Sequence, residues 1–166
     1  MRAIAIIPAR LASTRLPRKV LRSIAGKPML AWVYEAAGAA ADLDDVIVAT
    51  DAEEVLALCR ERGWHSRLTS SAHRSGTERV HEVACAVAAD VYLNIQGDEP
   101  LTRAEHVRSL LQLMSNRDVQ VGTLKTPAAP VDVNNPNAVK VVTDAAGRAL
   151  YFSRATIPHD RDGNGA

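Results

Sequence analysis

The residues best suited to chemistry lie near the start of the chain. Arg10, Arg15, Arg18 and Lys19 share one short segment with Ser13 and Thr14, between Pro8 and a second proline at Pro17. Arg10, Arg15 and Lys19 can neutralise a triphosphate, and the two hydroxyls can donate to its oxygens. Transfer of a phosphoryl-type group asks a protein mainly for positioning and charge neutralisation, which such a loop supplies. The competing reading is a basic surface loop facing water, and Arg18 fits that reading best. No G-x-x-x-x-G-K-[ST] and no G-x-G-x-x-G is present, so neither a Walker A loop nor a dinucleotide turn is expected.

Three further clusters carry polar chemistry. Asp98 and Glu99 follow Gly97 at the end of an apolar run, where a carboxylate can hold Mg²⁺, an ion that takes oxygen ligands and keeps several waters. The alternative there is an ordinary Gly-Asp turn. Ser75-Gly76-Thr77-Glu78 has the form of a helix start with a glycine for close backbone approach, able to offer N–H groups to a base or phosphate. The alternative there is a plain N-cap. Thr50-Asp51 closes another apolar run. The five histidines, His65, His73, His81, His106 and His159, have no metal-ligand spacing. His73 lies beside the presumed site, while His81 and His106 are expected on helix surfaces. No Ser/His/Asp triad and no H-E-x-x-H can be placed.

The elements that must position these residues follow from hydrophobic patterning. Residues 3–8 read as a central strand, apolar on both faces. Strands are expected at 46–50, 65–69, 91–96 and 119–125, and helices at 28–41, 52–62, 75–89 and 103–115. Runs 139–143 and 149–153, with a turn near Gly147, read as a hairpin. Alternating strands and helices imply an α/β fold with a doubly wound, mostly parallel sheet. All four polar clusters then fall at the carboxyl ends of strands, the edge where such folds bind ligands.

Bulk properties set the frame. A chain of 166 residues suits a single domain, here 1–166, with a polar loop tail at about 160–166. The composition is 47% hydrophobic and 4% aromatic, with 20 basic against 19 acidic residues and a net charge of +1. So small a basic excess disfavours nucleic acid as a partner. Cys59 and Cys85 match no metal or disulfide framework, in keeping with a reducing cytoplasm. The first apolar run is broken at Arg10, too short for a signal peptide, and no stretch approaches the roughly 18 apolar residues of a membrane span.

The block Pro8-Ala9-Arg10-Leu11-Ala12-Ser13-Thr14-Arg15-Leu16-Pro17 with Lys19 resembles the signature of the CMP-sugar synthetases. Four later blocks narrow the resemblance. They are Ser75 to Arg79 (SGTER), Asn94 to Pro100 (NIQGDEP), Asn135 to Lys140 (NPNAVK) and Tyr151 to Pro158 (YFSRATIP). Together they are similar to the 3-deoxy-manno-octulosonate cytidylyltransferases, or CMP-Kdo synthetases, along essentially the whole chain. The resemblance implies a Rossmann-like fold of the nucleotide-diphospho-sugar transferase type. It also implies transfer of CMP from CTP to Kdo, giving CMP-Kdo and pyrophosphate for lipopolysaccharide synthesis, with Mg²⁺, in the cytoplasm and in a homodimeric full-length protein.

Carried onto this sequence, the resemblance makes Arg10, Arg15 and Lys19 catalytic and Asp98 the metal ligand. Pro8, Ala9, Arg10, Ser13 and Lys19, with His73, Ser75, Gly76 and Gln96, become the nucleotide-binding set. Arg18 and Val20 stand where the family often has Gly and Pro, which leaves the loop path and the placing of Lys19 open. Ser70 and Ala72 replace a common Arg and Asp, so ion pairs are not expected there. The family continues past the YFSRATIP block with a second acidic metal ligand, Kdo contacts and most of the dimer surface. The chain is therefore expected to be truncated and to carry the nucleotide half of a site. The alternatives are an acylneuraminate-type CMP-sugar synthetase and a nucleotide-binding module without turnover.

Overall fold

The first apolar run forms β1 (Ala3–Pro8), and all six of its residues are buried. The computed structural model describes residues 1–11, 16–159 and 161. After β1 come the short β2 (Ser23–Ile24) and β3 (Lys27–Pro28), then α1 (Met29–Gly38), β4 (Asp45–Thr50), α2 (Glu53–Glu61) and β5 (Ser66–Leu68). Next are α3 (Gly76–Ala86), β6 (Val91–Asn94), α4 (Ala104–Met114), α5 (Pro130–Val133), β7 (Lys140–Thr143) and β8 (Ala149–Ser153).

Strands β5, β4, β1 and β6 form one sheet in that order, and every pairing in it is parallel. Burial on both faces of β1 is what such a sheet demands of a central strand. Ala3, Ala5 and Ile7 join Leu30, Val33, Val55, Val107 and Leu111 in one core layer, which brings α1, α2 and α4 to that face. Ile4 and Ile6 face the other way, with Ile47, Val80 and Val83, which brings α3 to the opposite face. Helices on both faces make the sheet doubly wound, as the alternation of elements implies.

The sheet and α1–α4 belong to a compact unit, Met1–Gly122; a second unit, Thr123–Ala166, contains α5 and the antiparallel β7–β8 hairpin. Inside the second unit, the Lys140 ammonium donates to the carbonyls of Asn135 at 2.8 Å, Ala138 at 3.0 Å and Arg154 at 2.7 Å. The Arg154 guanidinium donates to the Pro136 carbonyl at 2.9 Å, so two of the later sequence blocks staple each other.

Three features differ from the sequence expectation. Residues 119–125, expected as a strand, join no sheet among the described residues, and Val121 is 89% exposed. Val119, Val121 and Leu124 have strand-like character, but a strand exists only where a neighbour takes up its backbone groups. The β2–β3 hairpin was not expected; it closes through Ala25 at φ 49° and Gly26 at φ 86°, a two-residue turn with both φ positive, as in type I′. The short α5 lies where no helix was expected, and Pro130 stands at its start, where a missing N–H costs nothing.

Cys59 is buried in α2 and Cys85 exposed in α3, both as free thiols; burial pushes the Cys59 thiol above its ordinary pKa. No helix among the described residues is long and apolar enough to cross a membrane.

Candidate functional site

Parallel strands send their carboxyl ends to one edge, and the chain's route through the sheet makes a crevice there. From β1 the chain moves outward through β4 to β5, then returns to place β6 on the other side of β1. The strand order therefore reverses at β1, and such a switch point is where open α/β sheets hold ligands. The Ile95 N–H still donates to the Ile6 carbonyl at 3.1 Å, and the Gly97 N–H approaches the Pro8 carbonyl at 3.4 Å. On the other flank the Ala9 N–H donates to the Ala49 carbonyl at 2.8 Å. Pro8, Ala9, Gln96, Gly97 and Asp98 are thus brought together, as the sequence analysis placed them.

Two glycines permit this closeness. A Cβ on Gly97 would stand 3.0 Å from the Pro8 carbonyl oxygen, tighter than ordinary packing. A Cβ on Gly76 would meet Gln96 Oε1 and Pro8 Cγ, both at 3.1 Å. The start of α3 thus lies directly over Pro8 and Gln96. The Gln96 amide is oriented by Asn94, whose Oδ1 accepts from its Nε2 at 2.7 Å.

Lys19 begins a 3-10 turn, Lys19–Leu21, and its ammonium forms an ion pair with Asp98. The two side chains are 27% and 37% exposed, so the pair remains open to solvent. Arg18, just before that turn, has φ 57° and ψ 29°. That is the left-handed region where glycine is at ease and other residues lose about 1–2 kcal/mol. The backbone thus bends here as a glycine would allow, although the residue is arginine. Arg18 does not simply face water: Nη1 donates to Glu54 Oε1 at 2.9 Å in a two-pronged pair. Arg10 is exposed, with no hydrogen bond or ion pair among the described residues. Ser13, Thr14 and Arg15 lie outside the described residues.

The segment entering α3 is held by α3's own side chains. Ser75 Oγ accepts from the Glu78 N–H at 3.1 Å, so Ser75 is an N-cap, one of the two roles its sequence allowed. Glu78 accepts from the Arg74 N–H at 2.8 Å, and Glu82 from the Ser70 N–H at 3.0 Å. His73 is engaged by two carboxylates, Glu82 at Nε2 and Glu78 at 3.8 Å from Nδ1. The Ser70 N–H and then the His73 ring hold the Glu82 carboxyl below its ordinary pKa.

Sequence reasoning passed over Arg79 as a residue in its own right. It is 2% exposed, and its guanidinium donates to Thr69 Oγ1 and, at 2.9 Å, to Asp51 Oδ2. Its spacing held the signal: Arg79 stands four residues before the buried Val83, on the inward face of α3.

Among the described residues, no group of three or more His, Cys, Asp or Glu side chains is arranged to hold a metal ion. At this site Asp98 offers one carboxylate, held by its pair with Lys19. That donor set suits a divalent ion carried mostly by phosphate oxygens and waters, and does not suit a cation caged by protein.

The sequence model of the cytidylyltransferase family matches residues 4–166. The chain belongs to that family. Over 99% of its length it is 66% identical to the 3-deoxy-manno-octulosonate cytidylyltransferase of Koribacter versatilis, and it spans 63% of that protein. It is 55% identical to the enzyme of the same name from Acidobacterium capsulatum, again over 99% of this chain, and spans 67% of it. A solved CMP:2-keto-3-deoxy-manno-octonic acid synthetase complexed with CTP superposes over 100% of the chain, with a TM-score of 0.95 and 42% identity. The match covers 69% of that structure. This member of the cytidylyltransferases therefore spans somewhat under two-thirds of the first of these relatives and has the fold of the solved one.

Proposed function

We propose that the protein containing this chain is a 3-deoxy-manno-octulosonate cytidylyltransferase, and that these residues form its nucleotide-binding part. The observation that carries the reading is the crevice between β1 and β6. There the start of α3, Pro8 and Gln96 make an uncharged wall, and Lys19 and Asp98 a charged one. A nucleoside triphosphate has the same two-sided chemistry, a flat base and a polyanion. The solved synthetase that shares this fold is complexed with CTP, which supports cytidine as the base.

In the reaction, the anomeric hydroxyl oxygen of Kdo forms a bond to the α-phosphorus of CTP. The bond from that phosphorus to the bridging oxygen breaks, pyrophosphate leaves with the electron pair, and the hydroxyl proton is released. CMP-Kdo is the product, a precursor for lipopolysaccharide. Arg10, Arg15 and Lys19 neutralise the triphosphate and the departing pyrophosphate, an electrostatic role that is strongest where the charge develops. Pro8, Ala9, Ser13, Gly76 and Gln96 surround the nucleotide, with Ser75 setting the start of α3 and His73 holding the segment before it. Asp98 would hold Mg²⁺, which supplies charge compensation to the phosphate oxygens when bound. Lys19 must release Asp98 for both roles to operate, and their exposed pair parts at little cost. A cytoplasmic setting and a homodimeric full-length protein belong to the same proposal.

Calorimetric titration with CTP and Mg²⁺, against ATP, GTP and UTP, tests the reading. Selective CTP binding is expected. A folded protein that binds none of the four, or that prefers a purine nucleotide, would overturn it.

A further inference from the structure

Arg79 has no place in the chemistry above, yet it is the largest fully buried side chain of the described residues. A guanidinium keeps its charge when buried, so its removal from water must be offset by partners. Stability alone is a weak reason to bury one, since apolar residues of similar volume often serve as well or better. The partners suggest another reason. Asp51 follows β4, Thr69 follows β5, and Arg79 lies in the first turns of α3, so one side chain links two strand ends to the helix that overhangs the crevice. The Thr69 N–H also donates to the Thr50 carbonyl at 2.8 Å, which locks the two strand ends to each other.

The other restraints on this turn do different work. The bonds from Ser75, Glu78 and Glu82 reach only the helix itself and the segment just before it. Val80 and Val83 hold α3 against the sheet face, but apolar contact has no direction and does not fix a position along the helix axis. A planar, multi-donor guanidinium on two anchored acceptors does fix it.

We infer that Arg79 is a positioning residue for nucleotide binding: through Asp51 and Thr69 it sets where Gly76 meets Pro8 and Gln96, and so the shape of the uncharged wall of the crevice. This rests on reading that crevice as the CTP site.

The test compares the unsubstituted protein, in the natural polypeptide that carries this sequence, with Arg79→Lys and Thr69→Val. Calorimetric Kd values for CTP and for pyrophosphate, each with Mg²⁺, are measured alongside Tm. A displaced wall no longer fits the base it would orient, so a rise of about tenfold or more in the CTP Kd is expected. Pyrophosphate meets the charged wall alone, so its Kd should stay within about twofold, a split that general loosening of the fold would not produce. Thr69→Val keeps the Arg79–Asp51 pair and carries the test if Arg79→Lys does not fold. An unchanged CTP Kd in folded Thr69→Val, or an equal loss of CTP and pyrophosphate binding, overturns the inference and leaves the CTP reading intact. Failure of the unsubstituted protein to bind CTP overturns both.

Discussion

At the ends of β4 and β5 the charges are sealed in: Arg79 is 2% exposed and Asp51 19%. At the ends of β1 and β6, a few residues along the same edge, Lys19 and Asp98 keep 27% and 37% of their surface in water. Both are a cation on a carboxylate, but the buried pair cannot exchange partners without leaving a charge in a poorly solvated place. The open pair can, because water screens each member as it leaves. One half of the edge is therefore built to hold still and the other to change hands. A site for a polyanion needs both: a fixed wall against which the ligand is oriented, and charges free to move onto it.

Breaking each pair in turn should sharpen this contrast. Arg79→Met leaves Asp51 without its partner and should lower stability by about 3–5 kcal/mol, read from the midpoint of urea unfolding. A loss under about 1 kcal/mol would place Arg79 with the exposed pairs instead. Lys19→Ala should do the reverse, with stability changing by less than about 1 kcal/mol while the proposed CMP transfer, measured in the natural polypeptide, falls about 10²–10³-fold. A smaller but informative effect is expected at Gly97→Ala. The added methyl would press on the Pro8 carbonyl oxygen 3.0 Å away, costing about 1–3 kcal/mol by overpacking. Because that strain lies between the two walls, weaker CTP binding should accompany the fall in Tm.

The smallest effect concerns pH. Folding holds the Glu82 carboxyl below its ordinary pKa through the Ser70 N–H and His73, so folding favours the ionised form. That contribution is complete above the ordinary glutamate pKa and is lost as pH falls through the lowered one. The protection of the Ser70 amide, its exchange rate taken relative to that of an unprotected amide at the same pH, should therefore fall on acidification into that range, and Glu82→Gln should abolish the change.

Most of the sheet was legible because burial on both faces leaves an unmistakable trace. The β-branched and apolar runs at Ala3–Pro8 and Asp45–Thr50 became central strands. The crevice was legible for a related reason, since polar clusters directly after buried strands must gather on one edge. What escaped depends on partners that a local pattern does not carry. Residues 119–125 have the composition of a strand but no neighbour among the described residues to make them one. The β2–β3 hairpin has strands of two residues, too short for any alternation to register, and only Ala25-Gly26 marks its turn. Arg79 was missed because a charged helix residue ordinarily faces water, and only its step of four to Val83 tells otherwise. Arg18 shows the opposite case: the residue is arginine, but the backbone takes the left-handed bend that favours glycine.

The strand order also dictates when the protein can be assembled during synthesis. β1 acquires one neighbour when β4 emerges from the ribosome, but its other edge pairs with β6, with Ala3 against Val91. For some forty residues of translation, at roughly 5–20 residues per second, the most apolar strand of the molecule therefore has one bare edge. Closing so long a loop is slow, and an uncovered apolar edge invites pairing with another chain. The Arg2 N–H on Asp90 Oδ2 at 2.6 Å, across 88 positions, marks the point where that exposure ends. A ribosome that pauses before Asp90 emerges would prolong that exposure.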